Sequence, residues 1–476
     1  MKKNSKIILG ISLLTVFIYI GAIVWWHLSS PQLPIYVQAP GADNRPEGGR
    51  SADEVNIGET FMRYVENPPI SSLTGKWTSF RGQNADNIIR TTDPIIIPEA
   101  DYPILWHIET GEGYAAPVIY NGRFFFLDYI EALSSDAMRA FDLVTGEELW
   151  RRWYRVPMRR NHGFSRTTPT VGANFIASIG PMGHVMVCDP NTGEMLWSLD
   201  MQTEFYTEIP LWYTGQCPLV DDGVIILAPG GNDVLMLGAN VMTGEILWTV
   251  PNEHNIGMSH SSIMPMTLGG KRQYVYIGNG GIIGVSAEGS DKGTLLWTNA
   301  TTWRPTQVSP SPLQISNSDI LLVAGYGSGG ARLRVNRSGN NWTATIIEQH
   351  APADGISAEQ QTPILFNDMI ITVLTRDGGA NRRRLTMFSP NNLSTPVWMS
   401  EERFDYGPYI VINNYLFILN DDGELFVYEI EARSMRLLKR QVVFPDGKDA
   451  WGPIAYADGI LILGDNYNIK GLKITQ

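Results

Sequence analysis

Twelve side chains able to stack on a ring, pair with an anion or move a proton recur shortly before prolines along this 476-residue chain. They are Tyr114, His162, Arg166, Tyr213, Gln216, His254, His260, Arg304, His350, Gln361, Tyr406 and Trp451. Four of the seven histidines fall in the set, so the surface that carries it is the first place to look for a ligand. Metal chemistry is not indicated, because His254 and His260 are six residues apart and neither H-x-H nor H-E-x-x-H occurs. A nucleophile elbow and a phosphate loop are also missing, and the run GYGSGG at 325–330 reads as a hairpin connection. The set therefore points to binding rather than turnover. Tyr114, Arg166, Gln216, His260, Gln361, Tyr406 and Trp451 are the candidate ligand contacts, and polar lining of a water-filled channel is the plainer reading of the same residues.

The elements that must position these residues are marked by the prolines themselves. Pro117, Pro169, Pro218, Pro265, Pro312, Pro363, Pro408 and Pro453 are separated by 52, 49, 47, 47, 51, 45 and 45 residues. That period is too long for most helical repeats and fits one four-stranded blade of a β-propeller, so eight blades are expected. A tryptophan closes nearly every unit: Trp106, Trp150, Trp197, Trp248, Trp297, Trp342 and Trp398, with Leu437 and Leu438 at the equivalent place in the last. Three copies are nearly superimposable: AFDLVTGEELW at 140–150, VCDPNTGEMLW at 187–197 and GANVMTGEILW at 238–248. In each, the Asp or Asn can accept from turn amides, the glycine supplies a positive φ, and the tryptophan offers a large apolar face to a neighbouring blade.

The pattern A-x-D-x-x-T-G-x-x-x-W resembles the tryptophan-docking motif of the pyrroloquinoline quinone (PQQ)-like repeat, and Ala140 to Trp150 matches it at every fixed position. WTSFRGQNADN from Trp77 resembles the W-x-x-F/W-R-G segment that opens many secreted propellers of this kind. The resemblance covers roughly Trp77 to Gln476 and implies an all-β fold, an eight-bladed propeller of PQQ-like repeats. The family includes quinoprotein alcohol dehydrogenases and non-catalytic relatives such as the propeller lipoprotein of the barrel-assembly machine. For the dehydrogenases the resemblance implies PQQ with calcium, held by Glu, Asn and Asp over an aromatic floor and covered by a vicinal disulfide. This chain has no Cys-Cys pair and no local motif matching that ligand set. The expectation is accordingly a non-catalytic scaffold without cofactor, with a PQQ-dependent alcohol dehydrogenase or a carbohydrate-binding propeller as the alternatives.

Ring closure is also written in the order of markers. Trp106 precedes Pro117, and the unit starting at Pro453 has room for about three strands before Gln476. Ile104 to Ile108 is therefore expected to complete the last blade and remove two sheet edges.

Three regions follow: an anchor at 1–28, a flexible linker at 29–75 and the propeller at 76–476. Lys2, Lys3 and Lys6 precede twenty uncharged residues, Ile7 to Trp26, which as a helix would span about 30 Å. The lysines place the N-terminus in the cytoplasm and the propeller on the periplasmic or extracytoplasmic side; a cleaved signal peptide is the competing reading. The linker is proline-rich and poorly hydrophobic, apart from VNIGETFMRYV at 55–65, which is expected to form a short helix or a docking segment.

A formal charge of −12 argues against nucleic acid as a partner and leaves other envelope or surface proteins, with the membrane reached through the N-terminal helix. One basic run, Arg151, Arg152, Arg155, Arg159 and Arg160, extended by Arg166, is a candidate docking patch for an acidic partner, or a solvated loop paired with neighbouring acids. Cys188 and Cys217 are expected to be buried free thiols.

Overall fold

Each proline stands at or just before the start of the innermost strand of a blade, where a missing N–H costs the ladder least. The protein was analysed as a computed structural model that describes residues 2–29, 55–66, 68, 71–300, 303 and 305–476. Most of the expected linker and Arg304 lie outside the described residues.

Eight sheets form an all-β, eight-bladed propeller. Blade 1 runs outward through Val118–Tyr120, Arg123–Ile130, Ser135–Asp142 and Glu148–Arg155. Blades 2 to 7 repeat this from Thr170–Val171, Leu219–Asp221, Met264–Leu268, Leu313–Gln314, Ile364–Phe366 and Tyr409–Ile412. Blade 8 contains Ala455–Ala457, Ile460–Gly464 and Asn468–Lys473, and the expected early strand, Ile104–Glu109, completes it with Trp106 opposite Gly471.

The repeated tryptophans lock one blade to the next. The Trp106, Trp150 and Trp197 indoles donate to the carbonyls of Leu143, Pro190 and Val241, each on the outer turn of the following blade, at 2.8, 3.2 and 2.8 Å. The ring also lies against the turn glycine: a side chain at Gly146, Gly193 or Gly244 would collide with it. Trp248 repeats the glycine contact at Gly293 but its indole nitrogen finds no acceptor, and Trp297 bonds Gln273 of its own blade instead.

Around the axis a second lock runs through residues that mostly stand just before the prolines. The Thr168 amide donates to Cys217 Sγ, Cys217 to Ser262 Oγ, Ser262 to Ser311 Oγ and Ser311 to Thr362 Oγ1, at 3.2, 3.0, 3.0 and 2.8 Å. This relay ties blades 2 through 6. Cys188 and Cys217 are both free and buried, and Cys217 has a structural use as a hydrogen-bond acceptor.

Three short segments before the clasp strand add to the ring. Thr60–Arg63 forms a strand, not a helix, and pairs antiparallel with the outer edge of blade 1; the compact unit runs from Val55 to Gln476. Lys76–Trp77 pairs with the innermost strand of blade 1, and Ile88–Ile89 pairs in parallel with that of blade 7. Between them Arg81, buried with φ 65°, donates to the carbonyls of Thr362 and Pro363 at 2.8 and 3.0 Å. The segment that opens with WTSFRG therefore links the inner strand of blade 1, the entry of blade 6 and the inner strand of blade 7.

The other compact unit holds the helix Lys2–Ser29, whose described side chains are all exposed. Among the described residues no helix is long and apolar enough to cross a membrane.

Candidate ligand site on the propeller axis

In an antiparallel blade, the connection into the first strand and the one between the second and third strands open on the same face. On that face an open cavity is lined from the connections entering all eight blades. Of the sequence candidates, Tyr114, Arg166, His260, Gln361, Tyr406 and Trp451 line it, as does His162. Gln216 does not: it is fully buried, and its amide bonds both the N–H and the carbonyl of Ala228 at 2.9 Å, pinning the second strand of blade 3. Burial of the strand start turned this side chain away from the axis.

The walls are aromatic. Trp451 stacks on Tyr114 at 4.8 Å and meets Tyr406 edge-on at 5.1 Å, while Trp212 stacks on Tyr326 at 5.5 Å. Phe80, from the segment that crosses the axis, also reaches the cavity. Gln361 donates to the carbonyls of Tyr406 and Trp451 at 3.3 and 3.0 Å, holding three blades in register at the rim.

The polar groups differ in how well they are matched. Glu359 is buried; its Oε1 accepts from the Tyr406 hydroxyl at 2.9 Å and faces Arg376 at 3.4 Å, and burial raises its pKa. Arg376 also covers the Tyr406 ring at 4.7 Å. Arg166 has no such acid: its Nη2 donates to the His162 carbonyl at 3.0 Å, its Nε has no partner, and burial lowers its pKa to about 10. His260 is held at about 4 by burial and then by the charge of Arg166, so it is neutral at physiological pH.

Trp212, Tyr326, Glu359 and Arg376 were missed from the sequence. Tyr326 and Arg376 stand on connections between second and third strands, which share the face but carry no proline marker. The GYGSGG run is a hairpin connection as expected, yet its tyrosine lines the site.

The arginine run is dispersed rather than gathered into one patch. Arg151 pairs with Glu148 at 2.7 Å, and Arg152 donates to the carbonyls of Gly193 and Gly58 at 2.7 and 2.6 Å and covers the Phe61 ring. Arg155 and Arg159 are exposed, whereas Arg160, on the axial face, binds the buried Glu112 through both Nε and Nη2.

The dehydrogenase branch would bring PQQ and calcium, and the wall can be tested for that pair. Calcium takes about six to eight oxygen ligands, several of them carboxylate. Among the described residues the one lining carboxylate is Glu359, whose Oε1 faces Arg376 and Tyr406 and which leaves only Oε2 unpartnered, one oxygen where a calcium ion needs several. Among the described residues no three His, Cys, Asp or Glu side chains stand close enough to hold a metal ion. The donor set does not fit a quinone and calcium pair.

Residues 134–434 match the family model described as outer membrane protein assembly factor BamB. Among solved structures, quinohemoprotein alcohol dehydrogenase ADHIIG from Pseudomonas putida HK5 superposes with a TM-score of 0.59 at 12% identity, covering 84% of this chain and 80% of that one. Quinohemoprotein alcohol dehydrogenase from Comamonas testosteroni gives 0.56 at 12%, with the same coverage. BamB from Moraxella catarrhalis gives 0.51 at 11%, covering 78% of this chain and 100% of that one. At such identities these likenesses establish the fold alone. No curated protein sequence matches the chain significantly.

Proposed function

The chain belongs to the family described as outer membrane protein assembly factor BamB, and from that premise we propose that it is a non-catalytic, membrane-tethered scaffold that docks envelope proteins. The observation that carries this reading is the rim of the axial face. Leu133, Leu211, Tyr326 and Tyr467, between 42% and 63% exposed, project from connections of four different blades around the cavity. Large apolar side chains ringing one face suit a protein contact. The cavity inside that rim offers stacking and hydrogen bonding.

The tether is the N-terminal helix. Its uncharged stretch Ile7 to Trp26 and its exposed apolar side chains on every face suit lipid, and Lys2, Lys3 and Lys6 suit a cytoplasmic start. The full chain should stay with the membrane pellet after a carbonate wash; release into the supernatant would remove the tether. Photo-crosslinkers placed in cells at Leu133 and Leu211 should give discrete adducts with an envelope protein. One at Met242, on the opposite face, should not; equal or absent adducts at all three positions would overturn the scaffold reading.

A further inference from the structure

One half-buried cation of the axial cavity lacks a counter-charge. The positive charge of Arg376 is matched by Glu359, 3.4 Å away. Arg166 has no carboxylate within ion-pair reach among the described residues; its Nη2 leans on the His162 carbonyl and its Nε is unsatisfied. A half-buried guanidinium whose Nε lacks a partner and which no carboxylate neutralises suits an anion, and its planar fork matches a carboxylate.

The neighbours of Arg166 define the rest of the ligand. His260, buried and without a well-formed hydrogen bond at either ring nitrogen, stands next to it as a neutral donor or acceptor rather than a second charge. The His260 ring is 6.0 Å from Trp212, which stacks on Tyr326. On the other side the guanidinium lies 5.8 Å from the Tyr114 ring. One unmatched positive charge beside aromatic faces selects a single negative charge carried on a ring.

We propose that the axial cavity is a binding site for a small cyclic monocarboxylate, its carboxylate received by Arg166 with His260 alongside and its ring lying against Trp212 and Tyr326. A uronic acid of an envelope glycan and a free aromatic acid share this chemistry. The site needs no metal, and it shares Tyr326 with the rim.

The test is calorimetric titration of the full chain in detergent with glucuronate and 4-hydroxybenzoate. Glucose and 4-hydroxybenzyl alcohol serve as uncharged counterparts, and acetate as a carboxylate without a ring. At least one ring acid should bind roughly tenfold or more tightly than its uncharged counterpart, with acetate showing no saturation. Arg166→Gln should abolish that preference, Arg166→Lys should keep part of it, and Tyr326→Ala, at an exposed position, should weaken ring binding at an unchanged melting temperature. Binding of glucuronate alone would assign a uronic acid, and of 4-hydroxybenzoate alone an aromatic acid; both support the site. Saturation by neither acid, or equal affinity for the uncharged counterparts, would overturn it. If Arg166→Gln does not fold, undiminished ring-acid binding in Tyr326→Ala overturns it instead.

Discussion

The arc of blades 2 to 6 and the arc of blades 7, 8 and 1 are built from the same repeat but closed by different means. In the first, a small polar side chain in one blade accepts the backbone N–H of the blade before, from Thr168 through Cys217, Ser262 and Ser311 to Thr362. In the second, the residues before the prolines are Gly407, Gly452 and Ala116, which have no side-chain acceptor to offer. There the chain brings in material from outside the repeats. Arg81 takes the Thr362 and Pro363 carbonyls, and Ile104–Glu109 completes blade 8. Tyr102, fully buried, exchanges 2.7 and 3.2 Å hydrogen bonds with Gln441 on the outer strand of blade 7. Lys439, which stands in blade 7 at the register position of the repeated tryptophans, covers the Tyr102 ring at 5.4 Å. The difference teaches that a repeat closes itself only where every copy is intact, and that N-terminal segments make good the copies that are not.

The largest effect should come from breaking the second arc. A chain beginning at Thr110 lacks both Tyr102 and the clasp strand, which exposes two sheet edges and an apolar cluster around Phe417 and Ile454. It should lose most of its cooperative unfolding transition relative to a chain beginning at Val55. Equal melting temperatures for the two would show that closure does not depend on the clasp.

Next come the tryptophan locks. Trp150 is buried and its indole is bonded, so Trp150→Ala should cost about 3–5 kcal/mol in denaturant unfolding. Trp248 is half-buried with no acceptor, so Trp248→Ala should cost about 1–2 kcal/mol. The reverse order would mean that the indole hydrogen bond and burial do not set the strength of the lock.

Asp136 stands at the seam between the arcs, where blade 1 meets blade 2. It is buried, accepts from the Tyr154 hydroxyl and Ser165 Oγ at 3.0 Å each, and burial raises its pKa to about 7. The folded state then holds a proton that the unfolded chain releases above about pH 4, so this group's contribution falls as pH rises from about 4 to about 7 and is level beyond. Asp136→Asn should flatten the melting temperature over that window; an unchanged slope would assign the pH dependence to other groups.

The smallest effect concerns the relay itself. Cys217→Ser keeps an acceptor for Thr168 and should be nearly neutral, while Cys217→Ala should cost about 1 kcal/mol. Equal stability of the two variants would show that the relay only accompanies the packing.

Much of this architecture was legible before any coordinates. The prolines gave the blade count, Trp106 lying ahead of Pro117 gave the clasp, and the three T-G-x-x-x-W copies gave the inter-blade locks. The relay was not read, although Thr168, Cys217, Ser311 and Thr362 stand one residue before their prolines, because a small polar residue there carries no periodic signal of its own. The site was legible in part. Seven of the twelve side chains singled out before the prolines line the cavity; Tyr213 bonds the Arg159 carbonyl, His350 bonds Glu348, His254 lies outside the lining, and Gln216 is consumed by its own blade. Tyr326 and Arg376 were hidden because nothing in the sequence marks the connection between second and third strands.

The central claim, that this propeller serves contact and not quinone chemistry, is tested most directly by mixing the purified full chain with PQQ and calcium. Quinone retention and dye reduction by simple alcohols would then be followed together. The account predicts no alcohol-dependent dye reduction above background, with or without calcium. Calcium-dependent, stoichiometric retention of the quinone together with alcohol turnover would contradict it.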